Sequence, residues 1–271
     1  YSQGAVTIQI KHLESELGVR LFDRIGKQVS LTYQGELFYR YAVTLTHDLE
    51  KIKDAMAATR ELTGTLTLGT IESLCSSVIP PILAEYHRLF PQVSVSIVID
   101  SPRTLLEMMN ENALDIVYFL DKRLYDRRWI KVLEEPEEIV FVASSDHPFA
   151  GQKDLTLDQV ISQPFLLTEK AASYRSILDG YLAAHGKKIR PFLEIGNTDF
   201  ILQMLRENTG LSLLPLFSIR RDTEQGTLAA LDVKDFHMQT WRQIVYHRDK
   251  WVTREMSEFL RLAGAVRKEN L

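Results

Sequence analysis

Ser2, Gln3, Thr7 and Gln9 open one short amphipathic segment, and their types suit the reading of duplex DNA. A serine at a helix start caps orphan amides, leaving Gln3, Thr7 and Gln9 to project from the first turns. Glutamine pairs bidentately with adenine in the major groove, threonine offers a hydroxyl or meets a thymine methyl, and a helix N-terminus attracts phosphate. Ala5, Ile10 and Leu13 supply the buried side. Arg24 and Lys27, on either side of Gly26 in what reads as a hairpin, suit phosphates or the minor groove. Any one of these polar residues is ordinary on a helix surface; their combination makes the segment a candidate interface.

The spacings of common catalytic sites are missing. No two of the 13 glycines stand as GxG, and there is neither a P-loop nor a GxSxG elbow. Seven histidines (His12, His47, His87, His147, His185, His237, His247) are scattered without HExxH, and one cysteine cannot supply a CxxC pair. No catalytic residue, metal site or cofactor is expected. Cys75 follows a predicted strand, where a helix N-terminus can lower a thiol pKa, but no second cysteine completes a disulfide switch. A small residue in a tight turn is the expectation.

A second candidate site emerges from the elements beyond Gly64, where strands and helices alternate. Thr65 to Ile71, Val93 to Ile99 and Leu114 to Leu120 read as strands, with Ser77 to Phe90 and Thr104 to Asn112 as helices. A second series follows: strands Glu138 to Ala143, Phe165 to Thr168, Phe192 to Ile195 and Leu211 to Leu214, with helices Tyr174 to His185 and Asp199 to Asn208. Trp241 to Tyr246 and Thr253 to Ala263 close the chain as strand and helix. Two α/β lobes of similar size are implied. In such sheets, strand C-termini and helix N-termini converge on a crevice. Four junctions meet that description: Thr70 and Ser73; Ser101, Arg103 and Thr104; Thr168, Ser173 and Arg175; Asn197 and Thr198. Their hydroxyls and helix amides suit a small metabolite, a carboxylate or other anion above all. Singly, each Ser or Thr is as well explained as a helix cap, and Arg103 and Arg175 as surface cations. Glu72 is the one acid placed beside the first cleft strand.

Joining the two regions, Phe38, Ala42, Leu45, Leu49, Ile52 and Met56 are spaced 4, 3, 4, 3, 4, the heptad seam of a coiled coil. Thr32 is a candidate N-cap for this long helix and Thr63-Gly64 its end; all nine prolines lie at or beyond Pro80. A lone helix would leave the seam wet, so a homodimer or homotetramer is expected. A two-fold dimer reads inverted repeats. The net charge of −4 argues against indiscriminate nucleic-acid binding, although the first 35 residues set Lys11, Arg20, Arg24 and Lys27 against only Glu14, Glu16 and Asp23. No uncharged stretch approaches the roughly 18 apolar residues of a membrane span. With a single cysteine and no apolar leader, a soluble cytoplasmic protein is expected. The chain starts without methionine inside a helix, which reads as N-terminal incompleteness.

The opening SQGAVTIQIKHLESELGVRLFDRIGKQVSLTYQGELF resembles the DNA-binding end of LysR-type transcriptional regulators. Gly4 stands where that family usually has proline, and Ile8 where a basic residue is common. GTLTLGTIESLCSSVIPPILAEYHRLFPQVSVSIVIDSPRTLLEMMNENALDIVYF is similar to the first lobe of the family's effector domain, and NTDFILQMLRENTGLSLLP to part of the second. The resemblance implies an α/β chain with an N-terminal α winged helix-turn-helix and a two-lobed, periplasmic-binding-protein-like (type 2) effector domain whose lobes are joined by two crossing strands. It implies a partial DNA-binding domain over 1–35 with GKQVSLTYQG as its wing, a linker helix over 36–62 and an effector domain over 64–271. Lobe 1 would span about 64–120 plus 226–271, and lobe 2 about 121–225. It also marks the first, second and fourth junctions as effector positions and makes RNA polymerase a possible partner. A solute-binding protein of transport would fit the lobes but not the helix-turn-helix; an enzyme on the same fold would need a catalytic pair that the cleft residues do not offer.

Overall fold

The computed structural model describes residues 3–25, 28–58 and 62–265, and the chain divides into two units, Tyr1–Glu61 and Leu62–Leu271. In the first, α1 (Gln3–Leu17) is followed by Gly18 in the left-handed region at φ +66°, a helix stop that glycine accepts without strain. Strands β1 (Phe22–Ile25) and β2 (Gln28–Leu31) pair antiparallel, Arg24 opposite Val29. The long helix α2 (Tyr33–Ala58) follows. Two side chains fix this unit. Glu14 Oε1 accepts from the Leu21 and Phe22 amides at 2.8 and 3.1 Å, tying the connector to α1. Thr32 Oγ1 donates to the Arg20 carbonyl and accepts from the Gly35 amide at 2.9 Å, so the predicted cap is formed. Gly35 is obligatory on contact grounds: a Cβ there would lie 2.0 Å from the Leu21 carbonyl oxygen.

The second unit opens with β3 (Gly64–Thr70), α3 (Glu72–Ser77), α4 (Ile79–Leu89), β4 (Val93–Ile99), α5 (Pro102–Asn110) and β5 (Ile116–Asp121). β3 lies between β4 and β5 and parallel to both, so their C-terminal ends open on one crevice. The interior of this lobe is Leu66, Leu68, Leu105, Ile116 and Val117, all fully buried, as parallel strands covered on both faces require. Helix α10 (Arg254–Ala265) packs back on it through Phe259, edge-on to Tyr86.

Strand β6 (Trp129–Ser144) leaves this lobe and the antiparallel β11 (Met238–His247) returns to it, pairing with both β5 and β6. These are the two crossing strands. Between them lie α6 (Leu157–Ile161), β7 (Leu166–Leu167), α7 (Ser173–Ala184), β8 (Leu193–Glu194), α8 (Thr198–Arg206), β9 (Ser212–Pro215), α9 (Leu216–Gln225) and β10 (Leu228–Ala230). β9 and β10 both pair with the far half of β6, and β7 pairs parallel with β8.

Several expectations need correction. The helix expected over 77–90 is α4, which starts at Ile79 after a break from α3 at Val78, because Pro80 and Pro81 lack amide hydrogens and are tolerated only in a first turn. The strand over 138–143 runs 16 residues from Trp129; its first half, WIKVLEEPEE, passes from apolar to acidic without alternating, with Glu135 and Glu137 paired to Arg242, so it read as loop. α6, α9 and β10 were not foreseen. The return to the first lobe begins at β11, not at 226: residues 228–230 pair with Val142 to Ser144, and the Leu157 amide donates to Asp235, which keeps 226–237 with the second lobe.

Candidate functional site

Between the lobes lies a cavity of about 230 Å³, small against the roughly 300–1,000 Å³ of sites for drug-sized ligands. The ends of β3 and β4 form one wall, with Glu72, Ser73, Asp100 and Ser101; the other wall is Thr168, Glu169, Ser173, Tyr174, Gly196 and Thr198. Sequence reasoning had placed five of these there: Ser73, Ser101, Thr168, Ser173 and Thr198. Ser101 is also a cap, accepting from the Thr104 amide at 3.3 Å, and Ser173 Oγ donates to the Leu120 carbonyl at 2.5 Å across the lobes. The others differ. Thr198 Oγ1 and Ser73 Oγ are buried without a hydrogen-bond partner, although the Tyr174 hydroxyl lies near Ser73.

Five expected residues do not line the cavity. Thr70 is fully buried and donates to the Tyr118 carbonyl at 2.9 Å, locking β3 to β5. Thr104 turns to Ser101 at 2.9 Å, and Asn197 caps α8 by accepting from the Phe200 amide at 2.8 Å. Arg103 pairs with Glu107 at 3.1 Å and borders a separate surface groove of about 440 Å³. Arg175 is not a surface cation: it is buried, donates to the Thr168 carbonyl at 2.8 Å and pairs with Asp179 and Glu194. It therefore holds the loop that carries Thr168 and Glu169. Sequence reasoning missed Asp100 and Glu169. The signal for Asp100 was available, since it directly follows β4; Glu169 reaches the cleft only because Gly196 leaves room, where a Cβ would lie 2.8 Å from Glu169 Oε2.

The cavity is electronegative. None of its lining residues is Lys or Arg, and three are carboxylates. Burial pushes the Glu72 carboxyl above its usual range; the facing Thr198 backbone N–H opposes this, and Asp199 and Glu169 reinforce it. Burial, then Glu72 and Asp199, likewise raise the Cys75 thiol, so it is not activated as a nucleophile.

In the first unit, Gln9 is exposed on α1 and Thr7 is half-buried, with Ala5, Ile10 and Leu13 half-buried beside them. Gln3 begins the helix and Arg24 lies in β1. Ser2 and Lys27 lie outside the described residues. Along α2, Phe38 and Ala42 are half-buried, while Leu45 and Leu49 are 70% and 51% exposed; the side chains of Ile52 and Met56 lie outside the description. Among the described residues no cluster of His, Cys, Asp and Glu suits a metal ion, and no helix is long and apolar enough to cross a membrane.

A two-lobed domain with a polar cleft, joined to a unit of helix, hairpin and long helix, defines a sensor coupled to a DNA reader. The comparisons give the family. The LysR substrate binding domain matches residues 59–267, and the bacterial regulatory helix-turn-helix of the lysR family matches residues 1–36. The uncharacterized HTH-type transcriptional regulator YwqM of Bacillus subtilis is 34% identical over 97% of this chain and 89% of its own length. The HTH-type transcriptional activator CmpR of Synechocystis is 29% identical over 96% and 85%. Full-length OxyR C199D of Pseudomonas aeruginosa shares the fold at TM-score 0.67 and 20% identity, over 97% of this chain and 90% of that one. The regulatory domain of Synechocystis CcmR, solved with 2-PG, does so at TM-score 0.63 and 22% identity, over 77% and 99%. The chain belongs to the LysR family of DNA-binding transcriptional regulators, with a type 2 periplasmic-binding-protein-like effector domain.

Proposed function

We propose that this regulator senses a small molecule held between its lobes by Ser73, Ser101, Thr168, Ser173 and Thr198, and that occupancy changes how paired DNA-binding units meet an inverted repeat. The observation that carries the reading is the pair of orphan hydroxyls, Ser73 and Thr198, on facing walls of one cavity. Buried polar atoms are almost always hydrogen-bonded, and two exceptions across a cleft are accounted for by a ligand that supplies the missing partners. A ligand that bridges the walls favours the closed arrangement by its differential affinity, and that difference is all it can transmit to the DNA.

At the other end, Gln3, Thr7 and Gln9 read bases, and Ser2, Arg24 and Lys27 hold phosphates. α2 pairs two copies through its heptad seam, as a dimer or as a tetramer built from two such dimers. The protein works in the cytoplasm as a regulator and not as an enzyme, with RNA polymerase as the partner that its binding admits or excludes.

Binding of the protein to the DNA upstream of its gene, and to a scrambled duplex, over a salt series is the test. Gln9→Ala should cost about 1–3 kcal/mol on the cognate site alone. Arg24→Ala should weaken both duplexes and flatten the salt dependence by about one unit. Equal losses on both duplexes for Gln9→Ala would remove it from base reading.

A further inference from the structure

We infer that the cleft recognises its ligand through a protonated amine, so that the effector is a small ammonium compound. This rests on the cleft reading above and adds the charge of its occupant. Glu72, Asp100 and Glu169 line the cavity with no Lys or Arg among its lining residues. Glu169 Oε2 is buried without a hydrogen-bond partner, and so are the hydroxyls of Thr198, fully buried, and Ser73, 2% exposed. A carboxylate oxygen only accepts, and a hydroxyl both accepts and donates. The group that satisfies all three at once is a donor-rich cation, and an ammonium has three N–H donors with a compact charge.

The alternatives fit less well. Arg175, the buried cation behind this wall, is spent on the Thr168 carbonyl, Asp179 and Glu194, and Lys170, beside Glu169 in the chain, is exposed and does not line the cavity. An anion in the cavity would meet Glu72 and Glu169 with no side-chain countercharge, and like charges at that range repel. A bare metal ion is disfavoured because these acids do not form a ligand cluster among the described residues. The α7 amides are different: Ala172, at its N-cap, provides no side-chain cap, so an acidic group elsewhere on the same ligand has a helix terminus to meet. The amine remains the part that the carboxylates select. It also relieves the repulsion among Glu72, Glu169 and Asp199.

The test is a ligand-observed NMR screen of the complete protein near neutral pH with a charge-balanced probe set. The set holds primary amines (ethanolamine, putrescine, glycinamide), their N-acetylated neutral counterparts, and the carboxylates glycolate and succinate. Cleft binding is defined by loss on Thr198→Val, and folding of each variant is checked by its unfolding transition. The expected result is that amines dominate the cleft hits, that N-acetylation silences them, and that Glu72→Gln and Glu169→Gln each weaken them roughly tenfold or more. Cleft hits that are mainly carboxylates, tightened by the Gln variants, would overturn the amine assignment and leave the cleft reading standing. An absence of hits sensitive to Thr198→Val would overturn both.

Discussion

Replacing Thr198 by Val should make the unliganded protein more stable while weakening its hold on an effector. Thr198 is fully buried at the start of α8, and its Oγ1 has no hydrogen-bond partner. An unsatisfied buried hydroxyl costs about 1–3 kcal/mol, and valine replaces it with a methyl of the same shape. The backbone N–H that faces Glu72 is kept. Allowing for relaxation around the site, the gain should be about 1 kcal/mol, or roughly 2–4 °C in midpoint for an effector domain of this size. Thr198→Ser provides the opposite sign: it keeps the hydroxyl and loses a buried methyl, for a loss of about 1 kcal/mol. Urea unfolding of the three proteins without ligand measures both. Ligand titration should then rank the parent and Ser variant above Val, since only they can hydrogen-bond the occupant. If Thr198→Val is less stable than the parent by about 1 kcal/mol or more, the hydroxyl has a structural partner and its orphan state is not reserved for a ligand.

Other perturbations separate the remaining parts of the account. Leu45 and Leu49 are exposed on the seam of α2, and burial of each is worth about 1.5–3 kcal/mol, so Leu45→Glu with Leu49→Glu should shift sedimentation toward monomer; unchanged association would move the interface elsewhere. Asp222 is buried and accepts from Arg206 at 2.6 and 2.8 Å and from Thr227 at 2.8 Å, and Arg206 holds its carboxyl below the usual range. A depressed carboxylate stabilises above its unfolded pKa of about 4 and ceases to as pH falls through the folded value. Asp222→Asn should therefore cost about 1–3 kcal/mol near neutrality, with the deficit vanishing in acid; a deficit that persists there would refute the ionic cause. Because the Cys75 thiol is raised, its alkylation in mildly alkaline buffer should be slower in the folded protein than in the unfolded chain, and faster alkylation would contradict the electrostatics.

What could be read from the sequence follows physical lines. β3, β4, α7 and α8 were visible because one lobe face is apolar at the right period and their helix starts carry Ser, Thr or Asn. β6 was half hidden because Glu134, Glu135 and Glu137 answer to Arg123 and Arg242 outside the strand, and ion pairs with distant residues leave no local period. The cleft hydroxyls were legible from strand and helix ends. Which of them were free was not: Ser101, Thr104 and Asn197 are engaged in capping, and only packing leaves Thr198 unpaired. The expectation of an anionic effector came from hydroxyls and helix amides alone. Glu169 enters the cleft through its contact with Gly196, 27 positions further along the chain, and changes the electrostatic balance.

Expression of a reporter from the promoter that the protein binds, compared across the parent, Gln9→Ala and a cleft-filling Thr198→Tyr variant, tests most directly whether one chain reads DNA at one end and a metabolite at the other. The account predicts that Gln9→Ala occupies the promoter less and loses regulation to that extent, while Thr198→Tyr still occupies the promoter but holds the reporter at one level whatever the effector supply. A Thr198→Tyr protein that tracks the effector as the parent does would contradict it.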